Sequence, residues 1–306
     1  MANISINASK EKIEKMKSFY EDFKQEVNNP YIVFSAKIDG CVVNIYTTNK
    51  VTFQGEDALD ESLIWQDLED DEEVKEVIIK SHEWQVTTTH IGSDEVGTGD
   101  FFGPIVVCAC LVKEEDIPFI TKLGVTDSKK LSDEKIKEIG KELVNKVIFS
   151  CLVCDNVTYN KQIENGLNMN SIKAILHNRA LLNVINRSNI SNPYIIMDQF
   201  AEENTYYKYL TNIKDKVVNN INFKTKGETY APAIACASII ARYRFIEKMD
   251  ELSNIYKLGD IPKGASQLVD IFGQLFVKKY SLDELSKISK MNFKNVEKIL
   301  NPLKNL

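Results

Sequence analysis

The pattern of apolar and polar positions changes near residue 85, and this change divides the chain into two predicted units. In residues 8–27 apolar side chains recur every three or four positions, which predicts an amphipathic helix that ends at Asn28-Asn29-Pro30. A charge-rich helix is predicted to close this unit. Between the two helices, turn residues separate three short β-like runs, at 31–38, 41–47 and 50–54. We therefore expect a small α+β domain over residues 1–84.

The second predicted unit, residues 85–306, alternates strands with helices. Apolar runs predict strands at 86–93, 103–113, 147–157, 193–197 and 221–225. Periodicity and capping residues predict helices at 132–146, 170–187 and 232–252, and a helical tail that opens at Ser281. Strands that first follow one another and then alternate with helices are typical of an α/β layer with a mixed sheet. This is the fold class that we predict.

The charge distribution changes what the net charge implies. The formal net charge is −6, from 38 basic and 44 acidic side chains, which by itself argues against a nucleic-acid partner. Residues 56–83, however, contain 12 acidic residues and 2 lysines, so the rest of the chain is mildly basic. Acidic runs of this kind repel themselves and usually stay solvated. The net charge therefore does not exclude a polyanionic partner.

Composition and the N-terminal segment exclude several classes of protein. No apolar run approaches the ~18 residues that a membrane helix needs. The opening segment MANISINASKEKIEKMK has no apolar signal core. Six cysteines without a dense spacing pattern fit a reducing compartment better than a secreted scaffold. We expect a cytoplasmic protein with no membrane partner.

Two adjacent carboxylates, Asp94 and Glu95, stand at the end of the first apolar strand of the second unit. Neighbouring strand residues face opposite ways, so we expect the two side chains to converge only if the backbone bends there. Gly97 and Gly99 follow at once and permit a bend or a close ligand approach. A charged turn at a strand end is the alternative interpretation.

A third carboxylate, Asp198, directly follows the buried-looking strand at 194–197. Carboxylates at the ends of central strands are placed to hold a hard cation such as Mg²⁺ through oxygen ligands. A helix N-cap is the alternative, because Asp caps helices well. Glu228, just before the long helix, is a fourth candidate, for which a surface loop is the alternative.

Basic residues lie close to these carboxylates in the chain. Ser128, Lys129 and Lys130 combine a hydroxyl, two ammonium groups and backbone amides near a helix start, which suits an anion. Lys226 lies beside Glu228. Each of these alone is more often part of a solvated surface than of a ligand site. Carboxylates that converge at strand ends among lysines and glycines would be typical of metal-assisted phosphodiester chemistry.

Other catalytic chemistries find little support. Cys151 and Cys154 form a lone CxxC inside an apolar strand, without the second pair that a zinc site needs. His82, His90 and His177 show no metal-ligand spacing and no obvious Ser or Cys partner. We expect all three histidines to be structural. A phosphate-binding Gly-Lys-Thr loop and a nucleophile elbow are both absent from the sequence.

These residues occur in motifs that resemble bacterial ribonuclease HIII. The central match is DEVGTGDFFGP at residues 94–104. Further matches follow the same order along nearly the whole chain, at 46–55, 127–131 (DSKKL), 197–200 (MDQF), 237–243 (ASIIARY) and 262–264 (PKG). The related ribonuclease HII enzymes carry Gly-Arg-Gly at the position of residues 97–99, and they lack the N-terminal unit. The resemblance is therefore specific to ribonuclease HIII.

The resemblance implies a fold and an activity. It implies an RNase H-like catalytic domain with a mixed sheet over residues 85–306, behind a substrate-binding domain over residues 1–84 that resembles the TATA-binding protein. It further implies endonucleolytic cleavage of the RNA strand of RNA–DNA hybrids, which leaves 5′-phosphate and 3′-hydroxyl ends. The implied cofactor is Mg²⁺ or Mn²⁺, two per site, with no organic cofactor. We expect a monomer.

The resemblance also implies roles for single residues. Asp94, Glu95 and Asp198 would bind metal, and Glu228 would be the fourth acidic residue of the catalytic site. The nucleic-acid contacts would come from a glycine-rich loop that approaches the ribose 2′-hydroxyl and from a phosphate-binding set, namely Gly97, Thr98 and Gly99, and Ser128, Lys129, Lys130 and Lys226.

Two alternative functions remain at this stage. The first is incision at single ribonucleotides embedded in DNA, in the manner of ribonuclease HII. The second is a non-catalytic protein that binds hybrids. The GTG motif at residues 97–99 and the N-terminal unit argue against the first, and the four acidic residues argue against the second.

Overall fold

The computed structural model describes residues 2–38, 40–55, 58–63, 65, 84–214 and 216–301. It divides the chain into two compact units, Met1–His82 and Glu83–Leu306. Most of the acidic tract at 56–83, and with it most of the predicted charge-rich helix, lies outside the described residues, as does Asp39 of the predicted turn at 39–40. No described helix is both long enough and apolar enough to cross a membrane.

The first unit is built on an antiparallel sheet. Strands β1 (Ala2–Asn7), β2 (Ile32–Ile38), β3 (Cys41–Tyr46) and β4 (Lys50–Gly55) pair in the order β1-β4-β3-β2. The described helices of this unit are α1 (Lys10–Phe19) and α2 (Ala58–Leu63). Met16 of α1 is buried in one core with Val43, Ile45 and Phe53 of the sheet. The small antiparallel sheet that the sequence predicts is confirmed.

The helix predicted over 8–27 starts close to the expected residue but ends early, because α1 spans only Lys10–Phe19. Ser9 caps its start by accepting from the backbone N–H of Lys12 at 3.2 Å. After Phe19 the chain makes a 3₁₀ turn and then pairs with the sheet edge, where the N–H of Gln25 donates to the carbonyl of Ser35 at 2.9 Å. Backbone pairing with β2 thus replaces the last helical turns.

The second unit is a five-stranded mixed sheet. Its strands are β5 (His90–Val96), β6 (Ile105–Val112), β7 (Ile148–Cys154), β8 (Tyr194–Asp198) and β9 (Ile221–Lys224), in the order β7-β6-β5-β8-β9. The β5–β6 and β6–β7 pairs are antiparallel, whereas β5–β8 and β8–β9 are parallel. The predicted α/β class with a mixed sheet is confirmed.

Ten helices are described in the second unit. They are α3 (Ile117–Lys122), α4 (Asp133–Lys146), α5 (Asn156–Glu164), α6 (Met169–Ser188), α7 (Glu203–Tyr209), α8 (Gly227–Tyr230), α9 (Pro232–Ile255), α10 (Gln267–Lys279), α11 (Leu282–Ile288) and α12 (Asn295–Leu300). Strand β6 shows how they cover the sheet, because Val106 and Cys108 pack in one core with α9 and Val107 and Ala109 in another with α6. The sheet is therefore buried on both faces.

Two predicted strands differ in extent from those observed. The strand predicted at 86–93 begins only at His90, because Val86 is apolar for another reason: it packs against Ile196 and Ile234. The strand predicted at 147–157 ends at Cys154, because the side chain of Asp155 accepts from the N–H of Thr158 at 2.7 Å and starts α5.

Helix α9 packs closely against β5. A Cβ on Gly92 would lie 2.3 Å from the backbone nitrogen of Ile234, so only glycine allows this approach. His90 caps the same helix: its Nε2 accepts from the N–H of Ala233 at 3.0 Å, and its Nδ1 donates to the carbonyl of Thr88 at 2.7 Å. His90 is thus structural, as expected, and it anchors α9 beside Asp94.

Candidate active site

Asp94 and Glu95 lie within β5 and not beyond its end. Their register with Cys108 and Val107 of β6 is continuous, so β5 runs through both residues without a bend. The two side chains point to opposite faces: Asp94 accepts a hydrogen bond from Ser238 of α9, whereas Glu95 contacts α6. Pairing of β5 with the parallel strand β8 stops one residue before Asp94. Both carboxylates therefore stand where two parallel strands separate, which is the usual place for a ligand site in such sheets.

Asp198 ends β8 at the same edge of the sheet. Its Oδ1 accepts from the N–H of Gly227 at 2.8 Å, so it binds the start of α8 and does not cap the helix that follows it in sequence. A Cβ on Gly227 would lie 3.2 Å from that oxygen and 2.6 Å from Ile234. Glu228, the next residue, is buried and only 7% exposed, which excludes the surface-loop interpretation.

The acidic side chains are electrostatic neighbours. Burial raises the pKa of Asp94 well above its usual range, and the charges of Glu95 and Asp198 raise it further. Burial raises the pKa of Asp198 too, with a contribution from Glu95, and burial raises the pKa of Glu228, with a contribution from Asp198. Negative charge is thus concentrated at a desolvated place, an arrangement that is common at functional sites.

Glu95 differs from the other carboxylates because a lysine and a histidine of α6 bind its two oxygens. Nζ of Lys173 binds Oε1 at 2.8 Å, and Nε2 of His177 donates to Oε2 at 2.8 Å. Burial alone would raise the pKa of Glu95, but these two partners lower it to about 2. The side chains of Lys173 and Glu95 are 8% and 10% exposed, so this is a buried ion pair.

The expectation that His177 has no Ser partner is wrong. Its Nδ1 also lies 2.5 Å from the hydroxyl oxygen of Ser93, which in turn donates to the carbonyl of Cys108 at 3.0 Å. Sequence reasoning missed Lys173 and His177, although their spacing of four residues on one helix face was the available signal.

Phe200, just after β8, supports both donors. Its ring stacks on His177 with a centroid distance of 5.1 Å and an interplanar angle of 20°. The ammonium of Lys173 lies 4.1 Å from the centroid of the same ring, within the range of a cation–π contact. The MDQF motif thus supplies a carboxylate, Asp198, and an aromatic ring that orients the two partners of Glu95.

Among the described residues predicted to bind phosphate, Lys129 is the one whose pKa the acidic side chains raise. Partial burial lowers its pKa, but Glu228 and Asp127, and then Asp94 and Asp198, raise it above its usual value. Ser128 is 3% exposed and its hydroxyl lies 2.8 Å from that of Ser238, so the hydroxyl faces α9. The Lys130 side chain lies outside the described residues, and Lys226 is exposed with φ at +54°.

The glycines of residues 97–99 play different parts. Gly97 has φ of +93°, and a Cβ there would lie 2.1 Å from the carbonyl oxygen of Pro104, so the fold itself requires glycine. Gly99 is exposed and would carry a Cβ with no neighbour within 4 Å. Thr98 between them is half-buried. The protein's own packing therefore explains Gly97 but not Gly99.

The donor set suits a hard divalent cation. All four acidic groups offer oxygen, the ligand that Mg²⁺ and Mn²⁺ prefer, and among the described residues only Glu95 of the four forms a salt bridge, with Lys173 and His177. Within the described part of the chain no three His, Cys, Asp or Glu side chains are already assembled at metal-binding distances. The chemistry of the residues fits a metal.

Comparisons with known proteins agree with these observations. The family described as "Ribonuclease HII" matches residues 91–296, and the "Domain of unknown function (DUF3378)" matches residues 3–76. The chain is 39% identical over 310 aligned positions to the ribonuclease HIII of Bacillus cereus (strain ATCC 10987 / NRS 248), with 99% of each protein covered.

Solved structures show the same likeness. The crystal structure of Bst-RNase HIII in complex with Mn²⁺ covers 100% of both chains, with a TM-score of 0.69 and 32% identity. The structure of Aquifex aeolicus RNase H3, at 24% identity and a TM-score of 0.55, covers 95% of this chain and 100% of that one and shares the fold.

Proposed function

The chain belongs to the ribonuclease HII/HIII family, and on that premise we propose that Asp94, Glu95, Asp198 and Glu228 are the acidic residues of its cleavage site. The protein is an endoribonuclease that cuts the RNA strand of RNA–DNA hybrids and leaves 5′-phosphate and 3′-hydroxyl ends. The observation that carries the assignment is the buried negative charge that Asp94 shares with Glu95 and Asp198 where β5 and β8 separate. Its cofactor is a divalent metal, Mg²⁺ or Mn²⁺.

Asp94, Glu95 and Asp198 are the residues that would hold the metal, and Glu228 completes the acidic set. When bound, two such ions activate water and stabilise the leaving oxygen of the phosphodiester. Lys173 and His177 keep Glu95 ionised and oriented, since they occupy both of its oxygens. The N–H of Gly227 orients Asp198 in the same way. The acidic side chains on β5, β8 and α8 thus offer oriented oxygen ligands to a divalent cation.

Specificity for RNA would come from the glycine-rich loop. Gly99 has open space where a side chain would stand, so substrate can approach its backbone closely. A backbone donor or acceptor there can contact the ribose 2′-hydroxyl, which distinguishes RNA from DNA. Lys129, Lys130 and Lys226 would bind phosphate, whereas Ser128 would do so only if its hydroxyl turned away from Ser238.

The N-terminal unit would add affinity for the hybrid. We propose that residues 1–84 form a substrate-binding domain that contacts phosphates more than bases, and that residues 85–306 form the catalytic domain. The same proposal holds that the protein acts as a monomer in the cytoplasm without an organic cofactor. The antiparallel sheet of the N-terminal unit, and the mildly basic charge of the chain outside residues 56–83, support a role on a polyanionic duplex.

A cleavage assay tests this function directly. A labelled duplex with a run of ribonucleotides opposite DNA is incubated with Mg²⁺, with Mn²⁺ and with EDTA, beside Asp94→Asn and Asp198→Asn. Metal-dependent cleavage within the RNA run that needs both aspartates supports the proposal. A duplex with one embedded ribonucleotide tests the ribonuclease HII-like alternative. A folded parent that binds hybrid but cleaves neither duplex would favour the binding protein.

A further inference from the structure

Residues 100–103, which directly follow the glycine-rich loop, form hydrogen bonds with distant parts of the chain. The N–H of Gly264 donates to Oδ1 of Asp100 at 2.6 Å, and the N–H of Phe101 donates to the carbonyl of Gly264 at 2.8 Å. From the other side, the N–H of Gly103 donates to the carbonyl of Ile288 at 2.9 Å. The N–H of Lys290 donates to the carbonyl of Phe101, also at 2.9 Å.

The side chain of Lys290 adds two further hydrogen bonds to residues 100–103. It is fully buried, and its Nζ donates to the carbonyl of Asp100 at 2.8 Å and to that of Gly103 at 2.6 Å. Within the described residues Lys290 forms no salt bridge at 4.0 Å or less, since its partners are backbone carbonyls. A buried ammonium without a carboxylate is rare because of its desolvation cost. Packing alone would be served by a methionine, so the ammonium points to a role for these two carbonyls.

The two carbonyls that Lys290 binds stand at the ends of one short turn. Gly103 has φ of +81°, and a Cβ there would lie 2.4 Å from Sδ of Met249, so the turn packs closely against α9. Gly97 packs on the carbonyl of Pro104 at the far end of the same segment. Fixing residues 100–103 therefore fixes the orientation of residues 97–99, which sit between this turn and β5.

We propose that Lys290 is a positioning residue for the contact that Gly97, Thr98 and Gly99 make with the substrate ribose. The inference rests on the proposed function, and it makes the segment after α11 part of the RNA-reading apparatus. Loss of the ammonium leaves the carbonyls of Asp100 and Gly103 without this donor, and the loop then samples other orientations. The acidic residues are held by other elements, so metal binding is unaffected.

The test is the binding of a short fluorescent hybrid, measured by anisotropy in Ca²⁺ under conditions where a gel shows no cleavage, beside an all-DNA duplex of the same sequence. Lys290→Met weakens hybrid binding by about tenfold, as expected for lost hydrogen bonds, and leaves DNA binding unchanged. Mn²⁺ binding by calorimetry equals that of the parent. Lys287→Met is the matched control, because Lys287 is an exposed lysine of the same tail that pairs with Glu284 at 2.5 Å.

A double-mutant cycle separates positioning from a general loss of structure. If Lys290 acts through the loop, Lys290→Met adds no further loss of hybrid binding to Gly99→Ala, because both changes impair one contact. Additive effects, or hybrid binding equal to that of the parent in a folded Lys290→Met, overturn the inference. Should Lys290→Met fail to fold, Asn156→Ala decides, since Asn156 donates to the same Gly103 carbonyl at 2.9 Å. For the inference to hold, Asn156→Ala must weaken binding of the hybrid and leave binding of the all-DNA duplex unchanged.

Failure of the proposed function gives a different result. A parent that binds hybrid in preference to DNA but does not cleave it in Mg²⁺ or Mn²⁺ contradicts the activity and still allows the Lys290 comparison. A parent with no preference for the hybrid overturns the Lys290 inference as well, because no ribose contact then exists to be positioned.

Discussion

His177 donates from Nε2 to Oε2 of Glu95 at 2.8 Å, which places a buried imidazole beside a carboxylate of the proposed cleavage site. Lys173, one helical turn away, binds the other carboxylate oxygen at the same distance. Glu95 therefore has a fixed orientation and stays ionised, whereas burial and like charge raise the pKa of Asp94 in the neighbouring position. Adjacent residues of one strand thus meet opposite electrostatic environments.

Removal of either partner of Glu95 should weaken the site. We expect His177→Ala and Lys173→Met each to lower metal affinity or activity by about 10- to 100-fold, the usual effect of losing a group that orients a metal ligand. Lys173→Met should also cost about 3 kcal/mol of stability, because it leaves a buried charge with one partner. Calorimetry with Mn²⁺ and chemical unfolding measure the two effects. Lys161→Met, an exposed lysine on the preceding helix, is the control.

The loss in Lys173→Met should depend on the charge of Glu95. In a Glu95→Gln background the same lysine substitution should cost clearly less stability, since no buried anion is then left unpaired. An equal cost in both backgrounds would show that Lys173 stabilises the fold by packing and not through Glu95.

Asp94→Asn should lower the cleavage activity and raise the stability of the protein. Loss of a metal-binding carboxylate should reduce cleavage by at least about 100-fold. In EDTA at neutral pH the variant should melt at a higher temperature than the parent, because an ionised Asp94 is disfavoured by burial and by Glu95 and Asp198. Calorimetry in EDTA measures this, with Asp260→Asn, an exposed aspartate, as the control. A lower melting temperature for Asp94→Asn would contradict the electrostatic argument.

Metal should stabilise the folded protein through these carboxylates. Titration with Mn²⁺ should raise the melting temperature of the parent, with a gain of about 2.7 kcal/mol at a concentration one hundred times the dissociation constant. EDTA should reverse the shift, and the double variant Asp94→Asn/Asp198→Asn should show little of it. An equal shift in the double variant would place the bound metal elsewhere.

The two glycines of the loop should respond differently to alanine. Gly97→Ala should destabilise the protein, because its Cβ would collide with the carbonyl of Pro104 at a positive φ. Gly99→Ala meets no neighbour, so its melting temperature and Mn²⁺ binding should match those of the parent while KM for hybrid rises. Normal hybrid cleavage by Gly99→Ala would mean that substrate does not approach this backbone closely.

Lys290 should leave a signature in the pH dependence of stability. Burial lowers its pKa from the ordinary 10.5 to about 7, although Asp100 and Cys154 oppose this. Between these values the unfolded chain holds a proton that the folded chain has released, so stability rises with pH, at most by about 1.4 kcal/mol per pH unit. Below pH 7 the cost of the buried charge is fully present. Lys290→Met should flatten the rise in urea unfolding measured across this range. If the stability of the parent and that of Lys290→Met rise in parallel with pH, the lowered pKa of Lys290 is contradicted.

The local patterns of the chain predict much of its fold. The runs at 41–47 and 50–54 are observed as β3 and β4, and Ser132 and Ser281 cap helices as expected. Each of these depends on neighbours within a few residues. The early end of α1 has a different origin, because the N–H of Gln25 pairs with Ser35 at the sheet edge in place of a further helical turn.

The sequence by itself determined the family and the mixed sheet and led to the proposed acidic residues, because a motif such as DEVGTGD and the period of apolar positions are written in consecutive residues. Only the tertiary structure decided that Asp94 and Glu95 face opposite sides of an unbent strand, and that Glu95 is held by residues 78 and 82 positions away in the chain. It alone revealed a buried ammonium, that of Lys290, 187 positions from Gly103. Such contacts depend on which elements the packing of the cores brings together, and no spacing along the chain encodes that.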